Sequence, residues 1–250
     1  MDVTWVGHAT ALIEFGDYRI LTDPLLTKRV AHLRRRRSPA STDVNDVDLV
    51  LLSHLHLDHL HLPSLNKLNP KARFLTPRGS GALLRKAGFD DVTEVEVGDI
   101  VECGPVSVEV VPAAHKHERG PHSRLRARPV GYVIDGGQRC YFPGDTDLYA
   151  GMADLHEIDV ALLPIWGWGS TIGVGHMNPQ RATQATQLIK PNVVIPIHWG
   201  TYAPEDGRRR LPHWFDDPPL EFASDLVDAG EHTRLRLLEP GNQMTVQRSR

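Results

Sequence analysis

The sequence predicts an α+β fold in which two β-sheets are covered by helices. Short apolar runs rich in Val, Ile and Leu recur along the 250 residues, and turns containing Gly or Pro separate them. Segments with helical character are few, and they lie mostly between the later strands. An apolar content of 40% is enough for a core, and a chain of this length fits one large domain.

The first part of the chain is predicted to be mostly β-strand. Residues 3–15 and 18–22 flank Gly16-Asp17, a pair typical of a hairpin turn. Residues 47–53 form a continuous apolar run of the kind found in strands that are buried on both faces. The remaining expectations for this part are strands at 72–76 and within 92–111, and a helix at 81–87 that ends at Gly88.

Strands and helices alternate more in the second part. A hairpin is expected at 130–142, and residues 160–165 and 193–197 are expected to be buried strands. Asn178 is a good N-cap with Pro179 at the first helical position, and Pro191 closes that helix. The chain is predicted to finish with a helix at 224–229 and strands at 233–238 and 244–247.

Charge and composition exclude several classes of protein. The formal charge of −3 argues against nucleic-acid binding, which favours strongly basic domains. Cys103 and Cys140 are too few for a disulfide framework and fit a reducing cytosol, although one bridge stays open. There is no signal-peptide pattern and no apolar run long enough to span a bilayer. We therefore expect a cytoplasmic protein.

The most informative feature is the run His54-Leu55-His56-Leu57-Asp58-His59, which follows the buried strand. His54 and His56 lie two residues apart, so that at a strand end both side chains point to the same side and can bind one ion. Asp58 and His59 come after the chain has turned and can face a second ion. Imidazole and carboxylate are good ligands for divalent metals, and the run therefore predicts a dinuclear site.

Three more ligand types follow predicted strands, namely His115, Asp145 and His198. Ligand counting assigns three histidines to the first metal ion. It assigns one aspartate and two histidines to the second ion, and Asp145 bridges the two. The first set is His54, His56 and His115; the second is Asp58, His59 and His198. Nitrogen and oxygen ligands suit Zn, and Mn or Fe stay open.

Alternatives remain for single residues of this set. Taken alone, a histidine at a strand end is more often a hydrogen-bonded structural residue, and Asp145 could shape a turn. His117 is the nearest rival of His115. The histidines that we interpret as surface or loop residues are His32, His61, His117, His122, His156, His213 and His232.

Together these residues resemble the metallo-β-lactamase superfamily, whose H-x-H-x-D-H motif is followed by a His, an Asp and a His. The resemblance implies a single domain over 1–250 with an αββα sandwich fold. Its two mixed sheets lie face to face, helices cover the outer faces, and the metals lie at one edge. Further segments resemble the branch that contains UlaG-type lactonases and the N-acylphosphatidylethanolamine-hydrolysing phospholipase D. They include Gly7-His8-Ala9-Thr10, Leu21-Thr22-Asp23-Pro24, Arg37-Ser38-Pro39, Gly144-Asp145-Thr146, His176-Met177-Asn178-Pro179 and His198-Trp199-Gly200-Thr201.

The resemblance to this branch has limits. We see no long N-terminal extension like that of the lipid enzyme and no apolar docking helix in its place. The segment 116–128, rich in His and Arg, has no evident equivalent. Lipid specificity is therefore not carried over.

The resemblance also places further residues near the metals. Asp58 and His176 are the catalytic candidates, with His176 as the acid that protonates the leaving group; the alternative for His176 is a hydrogen-bonded loop residue. His8 and Asp23 are expected to orient ligands, although a structural role for His8 and a turn-shaping role for Asp23 stay open.

Two sequence features could contact the substrate. Trp166 and Trp168 follow a strand and could form a wall of the pocket, although packing is the commoner use of Trp. The run Arg34–Arg37 is expected to be an exposed loop, which could meet an anionic substrate or a membrane surface or simply be solvated.

These observations favour a metal-dependent hydrolase of phosphodiesters. Two divalent ions lower the pKa of a bridging water and supply hydroxide at neutral pH. Hydrolysis of a lactone, another carboxylic ester or an amide is the alternative, because the same cluster can perform it. A redox di-iron role is disfavoured by His56, since redox relatives tend to carry a carboxylate there, and a non-enzymatic scaffold is a remote alternative. We expect a small-molecule or lipid-like anionic substrate; peripheral membrane contact and the oligomeric state stay open.

Overall fold

The computed structural model describes residues 1–38, 43–120, 123–205 and 211–247. The strands, in chain order, are β1 (Asp2–Gly7), β2 (Thr10–Phe15), β3 (Tyr18–Thr22), β4 (Arg29–Val30), β5 (Leu33–Arg35), β6 (Leu49–Leu51), β7 (Arg73–Pro77), β8 (Val92–Val95), β9 (Ile100–Cys103), β10 (Val106–Pro112), β11 (Val130–Asp135), β12 (Arg139–Phe142), β13 (Val160–Pro164), β14 (Val193–Ile197), β15 (Tyr202–Pro204), β16 (Arg234–Leu235) and β17 (Gln243–Thr245). The helices are α1 (Leu62–Leu65), α2 (Gly81–Lys86), α3 (Pro179–Ile189), α4 (His213–Asp216) and α5 (Pro218–Asp228), and a 3₁₀ helix spans Ala150–Asp154.

Two seven-stranded mixed sheets form the body of the fold. The first has the order β17-β1-β2-β3-β6-β7-β8 and is antiparallel up to β3 and parallel beyond it. The second has the order β16-β14-β13-β12-β11-β10-β9 and is parallel up to β12 and antiparallel beyond it. This arrangement is the one expected of an αββα sandwich.

The main hydrophobic core joins the two sheets. Buried side chains of the first sheet, such as Trp5 and Ile13, belong to the same cluster as Tyr132 and Leu162 of the second sheet. A separate cluster lies against the first sheet and includes Phe74 together with residues of α1 and α2. Burial of apolar surface in both clusters stabilises the layers against each other.

The strand directions bring the predicted site residues to one edge. In the first sheet β3 and β6 run parallel, and β1 has the same direction because two antiparallel pairings separate it from β3. In the second sheet β12, β13 and β14 are parallel, and β10 shares their direction for the same reason. The segments that leave these strands therefore meet at the same edge of the sandwich. In chain order they carry His8, Asp23, His54, His115, Asp145, Trp166 and His198.

The two sheets approach closely at this edge, and Gly144 makes that approach feasible. Gly144 has φ +62°, and a Cβ atom there would lie 2.2 Å from Cβ of Ser53. Only glycine fits both the backbone conformation and the space. Hydrogen bonds from Tyr132 Oη to the carbonyl of Leu52 (2.7 Å) and from the amide of Val130 to the carbonyl of Ser53 (3.0 Å) join the sheets beside it.

The helix over 178–191 is confirmed by its cap. The Asn178 side chain accepts a hydrogen bond from the amide of Arg181, Pro179 occupies the first turn, and Lys190 ends the helix in the left-handed conformation. The last helix begins earlier than the predicted range 224–229. It starts at Pro218 because proline is well accommodated in a first helical turn.

The expectation of an exposed loop at Arg34–Arg37 is wrong for its first half. Arg35 ends strand β5 and pairs with Tyr202 of β15 in a three-stranded sheet with β4. Its Nε donates to Tyr202 Oη at 3.1 Å, and its guanidinium lies 4.9 Å from the centre of that ring. These partners are about 170 positions away along the chain, so local polarity could not reveal them.

Three smaller expectations can also be compared with the structure. His61 lies in the loop before α1, but it is buried, and its Nδ1 lies 2.8 Å from the Ser64 hydroxyl. Cys103 and Cys140 are both free and buried. No helix in the described part of the chain has the length and apolarity to cross a membrane. Pro39 and His122 lie outside the described residues.

Candidate metal centre

Seven predicted ligands converge at the edge of the sandwich in two neighbouring groups. Ligand atoms of the first group lie within 4.8 Å of one another and come from His54, His56, His115 and Asp145. A second group of the same compactness contains His8, Asp58, His59 and His198. We call His54, His56 and His115 the first trio, and Asp58, His59 and His198 the second trio. The division of the seven predicted ligands matches the ligand counting from sequence, although His8 joins the second group and a third group, Asp23, His54 and His59, links the two. The role of each residue as a ligand stays a prediction.

The first trio brings three imidazole nitrogens together. His56 Nδ1 lies 3.0 Å from His54 Nε2 and 3.0 Å from His115 Nε2. His54 and His115 are buried and His56 is half-buried. The spacing of two residues between His54 and His56 thus places both side chains against the same point, as the motif predicted.

The second trio is equally compact. His59 Nε2 lies 3.2 Å from His198 Nε2 and 3.8 Å from Asp58 Oδ2. His59 and His198 are almost completely buried, and the Asp58 side chain retains 16% of its exposure.

Asp145 lies between the trios. Its Oδ2 is 3.2 Å from His59 Nε2 and 3.9 Å from the Nε2 atoms of both His54 and His115. Its Oδ1 is 3.1 Å from His198 Nε2. One carboxylate thus contacts nitrogens of both sets, as expected of a bridging ligand.

The outer ring nitrogens show which tautomer each histidine adopts. Nδ1 of His115 lies 2.6 Å from the carbonyl oxygen of Gly175, and Nδ1 of His198 lies 3.0 Å from that of Trp166. A carbonyl oxygen only accepts, so each Nδ1 carries the proton and donates it. In the neutral ring the inward Nε2 is then a lone pair.

A hydrogen-bonded relay orients two more histidines. His59 Nδ1 lies 2.6 Å from Asp23 Oδ2, and the Ser53 hydroxyl donates to the same oxygen. Because the proton of that hydroxyl points to Asp23, its oxygen accepts a hydrogen bond from His54 Nδ1 at 2.9 Å. Asp23 therefore orients His59 directly and His54 through Ser53. Such partners of ligating histidines fix the ring orientation and raise ligand basicity.

The resulting arrangement fits divalent cations. The Nε2 atoms of His54 and His115, whose Nδ1 atoms donate elsewhere, both lie 3.0 Å from His56 Nδ1, which has at most one proton for the two of them. A cation between these nitrogens would relieve the repulsion of their lone pairs. Asp145 Oδ1 is also buried without a hydrogen-bond partner among the described residues. Nitrogen and oxygen donors in this combination are those that Zn²⁺, Mn²⁺ and Fe²⁺ accept.

The pKa shifts keep most imidazoles of the centre neutral and the Asp145 carboxylate charged, a combination suited to a bound cation. Burial lowers the pKa of His115 to about 4 and that of His198 to about 3, which keeps both imidazoles neutral and able to ligate. Burial opposes charge on His59 too, but nearby carboxylates, Asp145 foremost, outweigh it and raise the pKa of His59 well above its usual value. The carboxylate charge that holds this proton is available to a metal ion.

His8 and Asp23, predicted to orient ligands, both contact the second trio. His8 Nε2 lies 3.0 Å from Asp58 Oδ2, and its ring centre lies 3.9 Å from that of His198. The backbones of His8, Asp23 and His198 have φ of 55°, 31° and 63°. Left-handed conformations are costly for residues other than glycine, and they cluster at functional sites.

His176 lies beside Asp145. Its Nε2 is 3.3 Å from Asp145 Oδ2, its Nδ1 is 3.2 Å from the carbonyl oxygen of Gly173, and its side chain is 22% exposed. Burial would lower the pKa of His176, but the hydrogen bond and charge of Asp145 outweigh it and raise the pKa. A doubly protonated ring satisfies both acceptors, so this histidine is able to hold a transferable proton next to the centre.

The two tryptophans differ in their relation to the centre. Trp166 contributes its carbonyl oxygen to His198, and its indole Nε1 donates to the carbonyl of Gly169 at 3.0 Å. Trp168 is 36% exposed and lines a cavity of about 160 Å³ together with His176 and His198. Trp168 therefore lies where a wall of the pocket was predicted, while Trp166 supports His198 through its backbone; contact of either with a substrate stays a prediction.

Sequence reasoning missed three supporting groups. Ser53 completes the relay to Asp23, and the Gly175 carbonyl orients His115. Arg119 donates from Nη1 to the carbonyl oxygens of Leu55 and Leu60 at 2.9 and 3.2 Å, which fastens both ends of the ligand loop. Arg119 belongs to the unassigned segment 116–128, and that unexplained run of cations was the available signal for it.

Comparison with known proteins agrees with this geometry. Residues 18–199 match the family model of the β-lactamase superfamily domain. A UPF0173 metal-dependent hydrolase of Methanopyrus kandleri is 32% identical over 96% of this chain and 98% of its own length. An N-acyl-phosphatidylethanolamine-hydrolyzing phospholipase D of Caenorhabditis elegans is 30% identical over 80% of this chain and 64% of its own length.

A solved structure shows the same architecture. Igni18, a metallo hydrolase from Ignicoccus hospitalis, superposes with a TM-score of 0.75 at 25% identity and covers 99% of both chains. The family match spans well over half of the sequence, and the αββα fold is confirmed. The chain therefore belongs to the metallo-β-lactamase superfamily and is a metal-dependent hydrolase.

Proposed function

We propose that this hydrolase cleaves phosphodiesters at a dinuclear metal centre. The observation that carries the proposal is the position of Asp145, whose Oδ2 lies 3.2 Å from His59 Nε2 of the second trio and 3.9 Å from the His54 and His115 Nε2 atoms of the first. The similarity to the phospholipase D of C. elegans supports the same substrate class. Zn is our first choice of metal, and Mn or Fe fit the same donors.

Seven side chains would hold the ions, with the first trio on one, the second trio on the other and Asp145 shared. Two bound divalent ions would polarise the scissile oxygen and lower the pKa of a water shared between them. Asp58 has a double role in this proposal, because it is a ligand and also accepts the hydrogen bond of His8 at the exposed side of the second trio.

His176 would complete the reaction by protonating the leaving oxygen. His176 lines the cavity that Trp168 and His198 also line. A general acid in this position contributes roughly 100-fold or more when the leaving group is basic. Hydrolysis releases an alcohol, which takes this proton.

Cationic side chains around the centre support an anionic substrate. A cavity of about 610 Å³ borders His115 and is lined by Lys116 and Arg128. Positive groups beside an entrance concentrate anionic substrates near the centre.

A substrate panel tests the proposal on metal-reconstituted protein. We expect hydrolysis of bis(p-nitrophenyl) phosphate or of a phospholipid, lost on chelation and in His115→Ala. His117→Ala is the matched control, because His117 is exposed and close by in sequence but outside both ligand groups. Activity on a lactone alone would contradict the phosphodiesterase proposal and favour the lactonase alternative. Full activity without metal would contradict the metal mechanism.

A further inference from the structure

The four arginines of the run 34–37 differ in their partners. Arg34 forms an ion pair with Glu205 at 2.9 Å, and Arg37 pairs with Asp216. Arg35 is bound to Tyr202, as described above. Among the described residues, no carboxylate lies within ion-pair distance of Arg36. Arg35 likewise has no carboxylate at that distance, but its guanidinium donates to Tyr202 and to backbone carbonyl oxygens. Among the described residues, Arg36 is therefore the one arginine of the run with neither an ion pair nor a short hydrogen bond.

The hydrogen bonds of Arg36 are also incomplete. Its Nη2 makes a long contact of 3.4 Å to the carbonyl oxygen of Pro204. Its Nε is buried and has no hydrogen-bond partner in the described part of the chain. A buried donor without a partner costs free energy, and an anionic ligand beside the guanidinium would offset this cost by pairing with its charge.

Arg36 faces a cavity that fits such a ligand. The cavity has a volume of about 470 Å³ and is lined by Trp168, Trp214, Leu211 and Thr171 as well as Arg36. Indole and leucine side chains suit an apolar body, whereas a guanidinium suits a planar carboxylate or a phosphate, which it can bind with two parallel hydrogen bonds. The lining thus favours an apolar molecule with one anionic group.

This cavity adjoins the smaller cavity beside the candidate metal centre. Trp168, Gly169 and Thr171 line both the Arg36 cavity and the smaller cavity that contains His176 and His198. A molecule that occupies both cavities would reach the centre with one end and Arg36 with the other.

We propose that the Arg36 cavity is a specificity site, which binds a carboxylate or phosphate group carried by the part of the substrate remote from the scissile bond. The proposal rests on the function proposed above, since it names a feature of the same substrate. Arg36 is a binding residue in this scheme and takes no part in bond cleavage.

Equilibrium binding tests the site independently of turnover. The probes are 2-naphthoate, 2-naphthylphosphonate and neutral 2-naphthamide, titrated into the metal-loaded protein with tryptophan fluorescence and calorimetry as readouts. We expect an anionic probe to bind more tightly than the amide by about tenfold, or roughly 1.4 kcal/mol. The comparison of the two anions distinguishes a carboxylate site from a phosphate site.

Two variants decide the assignment. Arg36→Gln should abolish the preference for the anions, and Arg36→Lys should restore part of it. Arg34→Gln is the matched control from the same run and should leave the preference unchanged, because Arg34 already faces Glu205. Circular dichroism of each variant checks that the fold is retained. Equal binding of all probes, or an anion preference that survives in Arg36→Gln, would overturn the proposal.

Turnover separates this proposal from the proposed function. The substrates are 4-nitrophenyl phenyl phosphate and 4-nitrophenyl 4-carboxyphenyl phosphate, which differ only in the second charge. We expect Arg36→Gln to raise KM about tenfold for the carboxylated diester alone. Anion binding that depends on Arg36, without cleavage of either diester, would support the anion site in the cavity and contradict the proposed phosphodiesterase function.

Discussion

The two trios of the candidate centre are supported differently. In the second trio each member has an outer partner: His8 for Asp58, Asp23 for His59 and the Trp166 carbonyl for His198. In the first trio His54 and His115 have such outer partners. His56 has none among the described residues, because its hydrogen-bond contacts run through Nδ1 to the other two histidines. The second trio also contains a carboxylate, whereas the first has three imidazoles. We therefore infer that the second trio holds its ion more tightly.

Asp145 gives the largest expected effect, because both trios share it. Asp145→Ala should lower kcat/KM by more than the ~100-fold that loss of an outer partner costs, and should leave at most one ion bound per chain. Steady-state kinetics and elemental analysis measure the two effects. Two tightly bound ions in this variant would show that Asp145 is not a bridge.

Substitution of His176 tests whether the histidine beside Asp145 acts as the general acid. His176→Ala should lower kcat by about 100-fold for diesters with a basic alkoxide leaving group and much less for p-nitrophenolate, which needs no proton. The number of bound ions should not change. An equal loss on both kinds of substrate would argue against its role as general acid.

Substitution of Asp23 tests how the groups around the trios support them. Asp23→Asn should weaken metal binding by roughly 10- to 100-fold, because it disturbs His59 directly and His54 through Ser53. Ser53→Ala is the matched control, since it affects His54 alone and should cost less. Competitive chelator titration measures both affinities. Equal effects of the two substitutions would contradict the relay.

Chelation sharpens the comparison without mutation. A chelator titration of the metal-loaded protein should remove the ions in two steps, the first from the trio that contains His56. His56→Ala should abolish the early step and retain the late one. Simultaneous loss of both ions would show that the trios do not differ.

Arg119 gives the smallest expected effect. Arg119→Met removes the hydrogen bonds to the Leu55 and Leu60 carbonyls. A hydrogen bond from a charged donor contributes about 1.5–3 kcal/mol to the free energy of unfolding. We expect a lower Tm and severalfold weaker metal binding, with kcat per loaded centre unchanged. Arg126→Met, from the same segment and 70% exposed, is the control. A loss of kcat in fully loaded Arg119→Met would point to a direct catalytic role instead.

The sequence was informative where the chemistry is local. The run from His54 to His59 and the strand ends before His115, Asp145 and His198 were readable because strand direction places such residues at one edge. The strand pairings explain why these distant segments meet. Because few residue types ligate metals, the candidate ligands at these strand ends could be identified from the sequence.

Long-range backbone contacts were not readable in this way. The Gly175 carbonyl, the Trp166 carbonyl and Arg119 act through hydrogen bonds across 32 to 64 positions, and any residue type supplies a carbonyl. The error at Arg34–Arg37 has the same origin, because Glu205, Asp216 and Tyr202 are brought in by the fold.

The central claim is that two ions lie in the two trios and share Asp145. Crystals of the Zn-loaded protein, measured with X-rays above and below the Zn absorption edge, test it most directly. We expect two anomalous peaks, one against His54, His56 and His115 and the other against Asp58, His59 and His198, each contacting an oxygen of Asp145. A single peak at full Zn loading, or a peak away from these trios, would contradict the account.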